Sequence, residues 1–127
     1  MANNYSEFVT SIKDLTKEEK EWLSDTLKNM KDSERDFASQ WDDTTLWLSS
    51  LGKSYNPVIV IKFMQDFLKK FRKDGYLYFT SAFTCSVARL NEFGGAAFFI
   101  TAKNVKSVGT LDWAQAEVRK FEKRRSK

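Results

Sequence analysis

The sequence predicts a single α+β domain built on a largely antiparallel sheet of four or five strands. Strand-like segments occur in runs separated by three amphipathic helices, in the order β-α-β-β-α-β-β-α, with the helices expected to cover one face of the sheet. A chain of 127 residues, 42% of them hydrophobic, fits one domain with one core over residues 1–127. The basic end, residues 121–127, is expected to fray.

The first two elements are a short strand and a helix. Residues 7–10 lie among the β-formers of YSEFVTSI and predict the strand. Thr16 and Glu19 have the spacing of a capping box, which satisfies unpaired amides at the start of a helix. The helix that follows has one apolar face, formed at helical spacing by Leu23, Leu27 and Met30.

A hairpin comes next. Phe37 and Trp41 are four residues apart and therefore share one face of its first strand. Residues 42–44, Asp-Asp-Thr, supply the chemistry of a tight turn. In the second strand Trp47 points away from its two leucine neighbours, so it is a candidate exposed residue.

The second helix has the strongest sequence signals. Asn56 and Pro57 have the residue types favoured at the N-cap and the first helical position, and Gly75 ends the segment. Its broad apolar face consists of Val60, Phe63, Met64, Phe67, Leu68 and Phe71.

The last third of the chain predicts two strands and a helix. Residues 76–85 have two fairly apolar faces, which predicts a central strand. Residues 96–102 predict the next strand, extended or bent by residues 103–109. The final helix carries an apolar stripe that is predicted to join the core: Leu111, Ala114, Val118 and Phe121.

Missing residue types exclude several chemistries. The chain has no histidine and one cysteine, so neither a Ser-His-Asp nor a Cys-His catalytic set can form within it. The same composition excludes the common zinc sites. We therefore predict no catalytic residue, no metal site, no cofactor and no enzymatic activity. Cys85 alternates with phenylalanines along its strand, which favours a buried, inert thiol over a reactive one.

The length of the apolar runs, the first eight residues and the lone cysteine predict a cytoplasmic protein that does not enter a membrane. The longest unbroken apolar runs, residues 58–61 and 96–100, are too short to span a bilayer, and residues 1–8 lack the pattern of a signal peptide. A lone cysteine cannot form an internal disulfide, which fits a reducing compartment.

Charge is distributed unevenly along the chain. Residues 1–56 contain 7 Lys and Arg against 11 Asp and Glu, whereas residues 57–127 contain 14 against 6. If the two halves stay apart in space, the folded domain has an acidic and a basic side. The alternative is that the helices simply carry ordinary solvated charges.

The segment NEFGGAAFFITA, residues 91–102, has three interpretations. A phosphate-binding loop requires GxGxxG or GxxxxGK[ST], and neither is present. The backbone amides of Gly94 and Gly95, with Arg89 nearby, are candidates for holding an anion such as a nucleotide. The favoured interpretation is a turn or bulge in which the glycines adopt positive φ before a strand.

The strings LWLSS, NPVIVIKFMQDFLKKF and NEFGGAAFFITA resemble a largely uncharacterised family of small proteins from bacteriophages, plasmids and other mobile elements. The resemblance covers about residues 5–121, and its most specific part is EFGG followed by Thr101-Ala102. Ala96 stands where another glycine is expected. The family has no agreed activity, so the resemblance carries over no catalytic residue. It implies a context in which small proteins bind and block host proteins.

Two groups of residues are candidate binding sites. Aromatic side chains of the kind found at interface hot spots are candidates for protein contact: Trp47, Tyr55, Phe93 and Trp113. Tyr76 and Tyr78 share a strand face, and with Phe98 they could stack single-stranded bases. Basic residues near them are candidates for phosphate or anion contact: Lys69, Lys70, Lys73 and Arg89.

The sequence thus favours a non-catalytic protein that acts by protein–protein contact, and the resemblance implies a role in antagonising a host defence system or regulating a host complex. The alternatives are a nucleic-acid-binding module that uses the basic half and a binder of a small nucleotide at the EFGG turn. A homodimer formed through an uncovered sheet face is compatible with all three.

Overall fold

The structure is a computed structural model that describes residues 4–30, 36–50, 56–85 and 94–125. Over these ranges the chain forms an α+β fold with three helices and a six-stranded antiparallel sheet. In chain order the elements are β1 (Asn4–Ile12), α1 (Lys17–Asn29), β2 (Phe37–Asp42), β3 (Thr45–Ser50), α2 (Pro57–Phe71), β4 (Tyr76–Cys85), β5 (Gly94–Thr101), β6 (Val105–Gly109) and α3 (Thr110–Arg125).

The strands lie in the order β2-β3-β1-β4-β5-β6, and all neighbouring pairs are antiparallel. The first part of β1 pairs with β4, up to Phe8 opposite Ser81, and its second part pairs with β3, from Val9 opposite Ser49. The strands of the acidic half of the sequence therefore lie together at one side of the sheet, and those of the basic half lie at the other. The two halves are separated within the sheet.

The sheet has one strand more than the predicted four or five, because residues 105–109 form a separate strand. A tight turn causes this. The Thr101 N–H donates to the Asn104 carbonyl at 2.8 Å, and the Asn104 N–H donates to the Thr101 hydroxyl at 2.9 Å. These bonds reverse the chain, so that β6 pairs back on β5. β1 is also longer than predicted, with nine residues.

The core lies between one face of the sheet, called here the inner face, and the helices α1 and α2. The predicted apolar faces of α1 and α2 are confirmed: Leu23, Leu27, Val60, Phe63, Met64, Phe67 and Leu68 are buried, and Met30 and Phe71 pack beside them. The strands contribute their alternate residues: Phe8, Ile12, Phe37, Leu46, Leu48, Leu77, Phe79 and Ile100. The central position predicted for β4 is confirmed by the strand order.

A buried ion pair joins α1 to α2. Glu19 completes the predicted capping box, accepting from the Thr16 N–H at 2.9 Å, and its other oxygen accepts from Arg72 Nε at 2.9 Å. Nη2 of Arg72 also donates to the carbonyls of Lys13 and Asp14, at 3.0 and 3.2 Å. Asp14 has φ of 56°, so the turn between β1 and α1 is held in an uncommon conformation by these bonds.

These contacts set the ionisation of Glu19. Burial by itself would raise the pKa of the Glu19 carboxyl, but the hydrogen bond and charge of Arg72, with the Thr16 amide, outweigh it. The pKa of Glu19 therefore lies below its ordinary value of 4.5.

Helix α3 does not join the core, so the prediction that its stripe is buried is wrong. None of its residues is buried, and Val118 and Phe121 are 57% and 61% exposed. The helix follows β6 directly at the side of the sheet, where it contacts β5 and β6, and α1 and α2 already cover the inner face. The helix continues to Arg125, through most of the segment predicted to fray.

Replacing Arg72 by Met should destabilise the fold by about 2–4 kcal/mol, because the substitution leaves the Glu19 carboxylate buried without its partner. Lys62→Met is the matched control. Lys62 pairs with Asp66 at the surface, and such pairs contribute little. Urea unfolding measures the change in the free energy of unfolding for both variants. Equal effects of the two substitutions would contradict the structural role of the Arg72 pair.

Glu19→Gln should make stability less dependent on acid pH. A carboxyl with a lowered folded-state pKa stabilises the fold above 4.5 and loses that contribution as pH falls through the folded value. The variant should be less stable than the native protein at pH 7, with a difference that shrinks as the pH falls toward 3. Melting temperatures across this range measure it, with exposed Glu21→Gln as control. A constant difference at all pH values would refute the account.

Candidate binding surface

The face of the sheet opposite the core, called here the outer face, is apolar and exposed. It carries one set of alternate strand residues: Val9 on β1, Trp47 on β3, Tyr76 and Tyr78 on β4, Phe99 on β5 and Val108 on β6. Their exposed fractions run from 40% for Trp47 to 66% for Val9. No helix in the described parts of the chain covers these side chains. An exposed apolar patch of this kind is typical of an interaction surface.

The part of the outer face over β4, β5 and β6 forms a shallow aromatic groove. The rings of Tyr76 and Phe99 stack, with centroids 5.5 Å apart and an interplanar angle of 25°. A groove of about 370 Å³ lies beside them, with side-chain walls from Tyr78, Phe99 and Val108. Ala97 contributes only a methyl group there, which leaves room for a side chain or ring from a binding partner.

A second concavity, of about 500 Å³, lies where β1 leaves β4. The β1–β4 pairing ends at Phe8 and Ser81, and beyond that point the Thr10 hydroxyl donates to the Tyr78 carbonyl at 3.1 Å in place of a backbone bond. Trp47, Tyr78 and Arg72 line this cleft. The ion pair of Arg72 with Glu19 therefore also helps to shape the binding surface.

The outer face carries few charged side chains. The residues that line its two grooves are mostly apolar or carry hydroxyls, as in Ser11 and Thr80, and the exposed Glu7 lies on the same face of β1, opposite Ala82 of β4. Lys106, directly opposite Phe99 in the register, and Lys13 lie at the rim. An aromatic surface with few charges and a polar surround is the anatomy of protein interfaces.

The structure brings some of the predicted site residues together and separates others. Trp47, Tyr76 and Tyr78 share the outer face, whereas Trp113 lies on α3, 62% exposed. Lys69 and Lys70 are exposed on α2, which packs on the inner face, so they do not adjoin the tyrosines; Lys73 follows α2 and is exposed. The predictions for Tyr55, Arg89 and Phe93 lie outside the described residues.

The assignment of Phe98 to the surface of Tyr76 and Tyr78 is wrong. Phe98 pairs with Phe79 in the register and faces the core, with ring centroids 4.9 Å apart. Its neighbour Phe99 is the outward residue. Adjacent phenylalanines make the alternation ambiguous, and the pairing with β4 resolves it.

Gly94 and Gly95 are strand residues, so the predicted positive-φ turn is wrong for them. They begin β5 opposite Phe83 and Ala82, and neither has a left-handed φ. Little space is available for a side chain at either position. A Cβ on Gly95 would lie 3.0 Å from the Ser81 carbonyl oxygen, and one on Gly94 would lie 2.9 Å from Thr110 Oγ1. The Gly95 N–H donates to that hydroxyl at 2.9 Å, which ties β5 to the start of α3.

The described residues contain no group of three Asp, Glu or Cys side chains positioned to hold a metal ion. Among the described helices, none combines the length and apolar character needed to cross a bilayer. Cys85 ends β4, and its side chain lies outside the described set.

Comparisons with known proteins found no match among family models, curated proteins or solved structures.

Gly95→Ala should destabilise the protein by about 1–3 kcal/mol, because its Cβ meets a backbone carbonyl that cannot move aside. Gly94→Ala instead meets the Thr110 side chain. In a Thr110→Ala background, Gly94→Ala should therefore lower the free energy of unfolding only slightly. Gly95→Ala should lower it there by as much as it does in the native protein. Denaturant unfolding of the two double-mutant cycles tests this. If Thr110→Ala removed the destabilisation caused by both glycine substitutions, the contacts assigned to Gly94 and Gly95 would be wrong.

Proposed function

We propose that this protein is a small non-catalytic binding protein that acts by protein–protein contact through its outer face. The observation that carries the proposal is the composition of that face. Trp47, Tyr76, Tyr78 and Phe99 form an exposed aromatic surface with few charged side chains around it, among them Glu7, Lys13 and Lys106. Trp and Tyr are also the residues most enriched at binding hot spots.

The core of the domain does not require this exposed aromatic surface, since the inner face packs its buried residues against α1 and α2. Two grooves interrupt the outer face, one over β4–β6 and one between β1 and β4, and both suit protruding side chains of a partner. We therefore place the partner across the middle of the sheet, centred on Tyr78, which lines both grooves.

The nature of the partner is a further part of the proposal. The resemblance of about residues 5–121 to proteins of mobile elements, most specific at EFGG and Thr101-Ala102, supports a host protein as the partner and a role as antagonist of a host defence system. This part rests on the resemblance alone.

A single-stranded nucleic acid is the second candidate ligand. The observation that favours it is the position of Lys106. This residue lies directly opposite Phe99 in the register, and the Phe99 ring stacks on the ring of Tyr76. Aromatic rings on an open sheet with adjacent cations bind single strands by stacking and phosphate contact. In the basic half, further cations occur in the second part of α3: Arg119, Lys120, Lys123, Arg124 and Arg125.

The proposal is tested by affinity capture from a bacterial lysate, with and without nuclease. The affinity of the protein for the recovered partner is then measured. Trp47→Ala and Tyr78→Ala should each weaken binding by roughly 10- to 100-fold, as expected for buried interface anchors. Val58→Ala is the control, because Val58 is 65% exposed on α2, on the opposite layer. Binding that is insensitive to both outer-face substitutions would overturn the proposal.

Titration of a fluorescent single-stranded oligonucleotide separates the second candidate. If nucleic acid is the ligand, affinity falls steeply with salt because counterions are released, and Lys106→Glu weakens it. No change in anisotropy at low salt would remove this candidate. Partners that disappear from the capture after nuclease treatment would favour it over a protein partner.

A further inference from the structure

The apolar stripe of α3 is exposed and has the spacing of a coiled-coil seam. Leu111, Ala114, Val118 and Phe121 follow one another at intervals of three, four and three residues, the a and d positions of two heptads. Ala114, Val118 and Phe121 are exposed, and Leu111 is half-buried. So narrow a seam suits a second helix better than a broad sheet face.

Contacts within the chain give α3 little support. None of its sixteen residues is buried, and the Thr110 hydroxyl, which accepts from the Gly95 N–H, anchors its start. A helix of this length is marginal in water when it lacks tertiary packing. Covering the stripe would therefore both remove apolar surface from water and stabilise the helix.

We propose that α3 pairs with α3 of a second copy of this chain, in an antiparallel arrangement with two-fold symmetry. The charges of the helix favour this partner. The first half of α3 carries Asp112 and Glu117, and the second half carries five cations, Arg119, Lys120, Lys123, Arg124 and Arg125, against Glu122 alone. Antiparallel pairing places each acidic half beside a basic half, whereas parallel pairing places the cations of both copies together.

The arrangement of side-chain sizes also fits a two-fold axis near the middle of the stripe. Ala114 then faces Val118 of the second copy, and Leu111 faces Phe121, so the small Ala114 meets a larger residue and two large residues meet at the other level.

The size of the seam sets the strength of the dimer. Two heptads per copy bury an area at the low end for specific interfaces, below about 1,200 Å² in total, so the dimer is weak and depends on concentration. The outer face takes no part in this pairing. The dimer is therefore independent of the proposed protein-binding function, and each is tested separately.

Sedimentation equilibrium over a range of concentrations tests the pairing. The average mass should rise from that of one 14.8 kDa chain toward twice that value. Phe121→Glu should keep the protein monomeric across the range, while Tyr78→Glu on the outer face should leave the rise unchanged. Circular dichroism and the melting temperature confirm that the sheet and core of each variant are folded. A monomer at every concentration overturns the proposal, as does a dimer abolished by Tyr78→Glu but not by Phe121→Glu.

Cysteine cross-linking tests the direction of the pairing in a Cys85→Ser background. The double variant Ala114→Cys with Val118→Cys should form covalent dimers on oxidation, because the two positions face each other in the antiparallel arrangement. Val118→Cys alone should cross-link at least tenfold less. Equal cross-linking by the single variant indicates parallel helices and overturns the arrangement.

Discussion

The ion pair between Glu19 and Arg72 is the constraint on which the arrangement of this domain depends. Both residues already have local roles, Glu19 in the capping box of α1 and Arg72 as the C-cap residue of α2. Their contact, with only 7% of the Glu19 side chain exposed, fixes the start of one helix against the end of the other. Arg72 also holds the Lys13 and Asp14 carbonyls, so the turn after β1 is fixed by the same side chain. A buried pair of this kind contributes specificity of arrangement, because any misplacement leaves a charge without its partner.

With α1 and α2 on the inner face, no helix among the described residues covers the outer face. The exposed aromatics there still contribute to the sheet, since Tyr76 and Phe99 stack across neighbouring strands. Such a contact needs only the two strands, so the rest of each ring stays available to a partner. The same Arg72 that orders the helices lines the β1–β4 cleft. Stability and the shape of the proposed binding surface therefore share one residue.

Local signals in the sequence predicted much of the fold. The errors arise where a contact between residues distant in the sequence determines the position of an element or side chain. The capping box of Thr16 and Glu19 and the stripes of α1 and α2 were readable because caps and helical periodicity act within a few residues. Periodicity shows which side of a helix is apolar, and it does not show what covers that side, which is why α3 was assigned to the core. Exposure of Trp47 followed from alternation, but the choice between Phe98 and Phe99 required the register with β4. The glycines of β5 look like turn residues until Ser81 and Thr110 are known to lie beside them.

The chain thus carries two apolar surfaces of different shape, and their shapes argue for different partners. The stripe of α3 is narrow, follows a heptad pattern and lies along a helix whose charges complement a reversed copy of itself. The outer face is broad, grooved and mostly aromatic, aliphatic or hydroxyl-bearing. In the proposed dimer the two outer faces are related by the two-fold axis of the helix pair. A target with two copies of the recognised surface would then be held by both at once, which raises the effective affinity without any new contact. Weak pairing through α3 would in that case be strengthened by the target itself, because each bound copy raises the local concentration of the other.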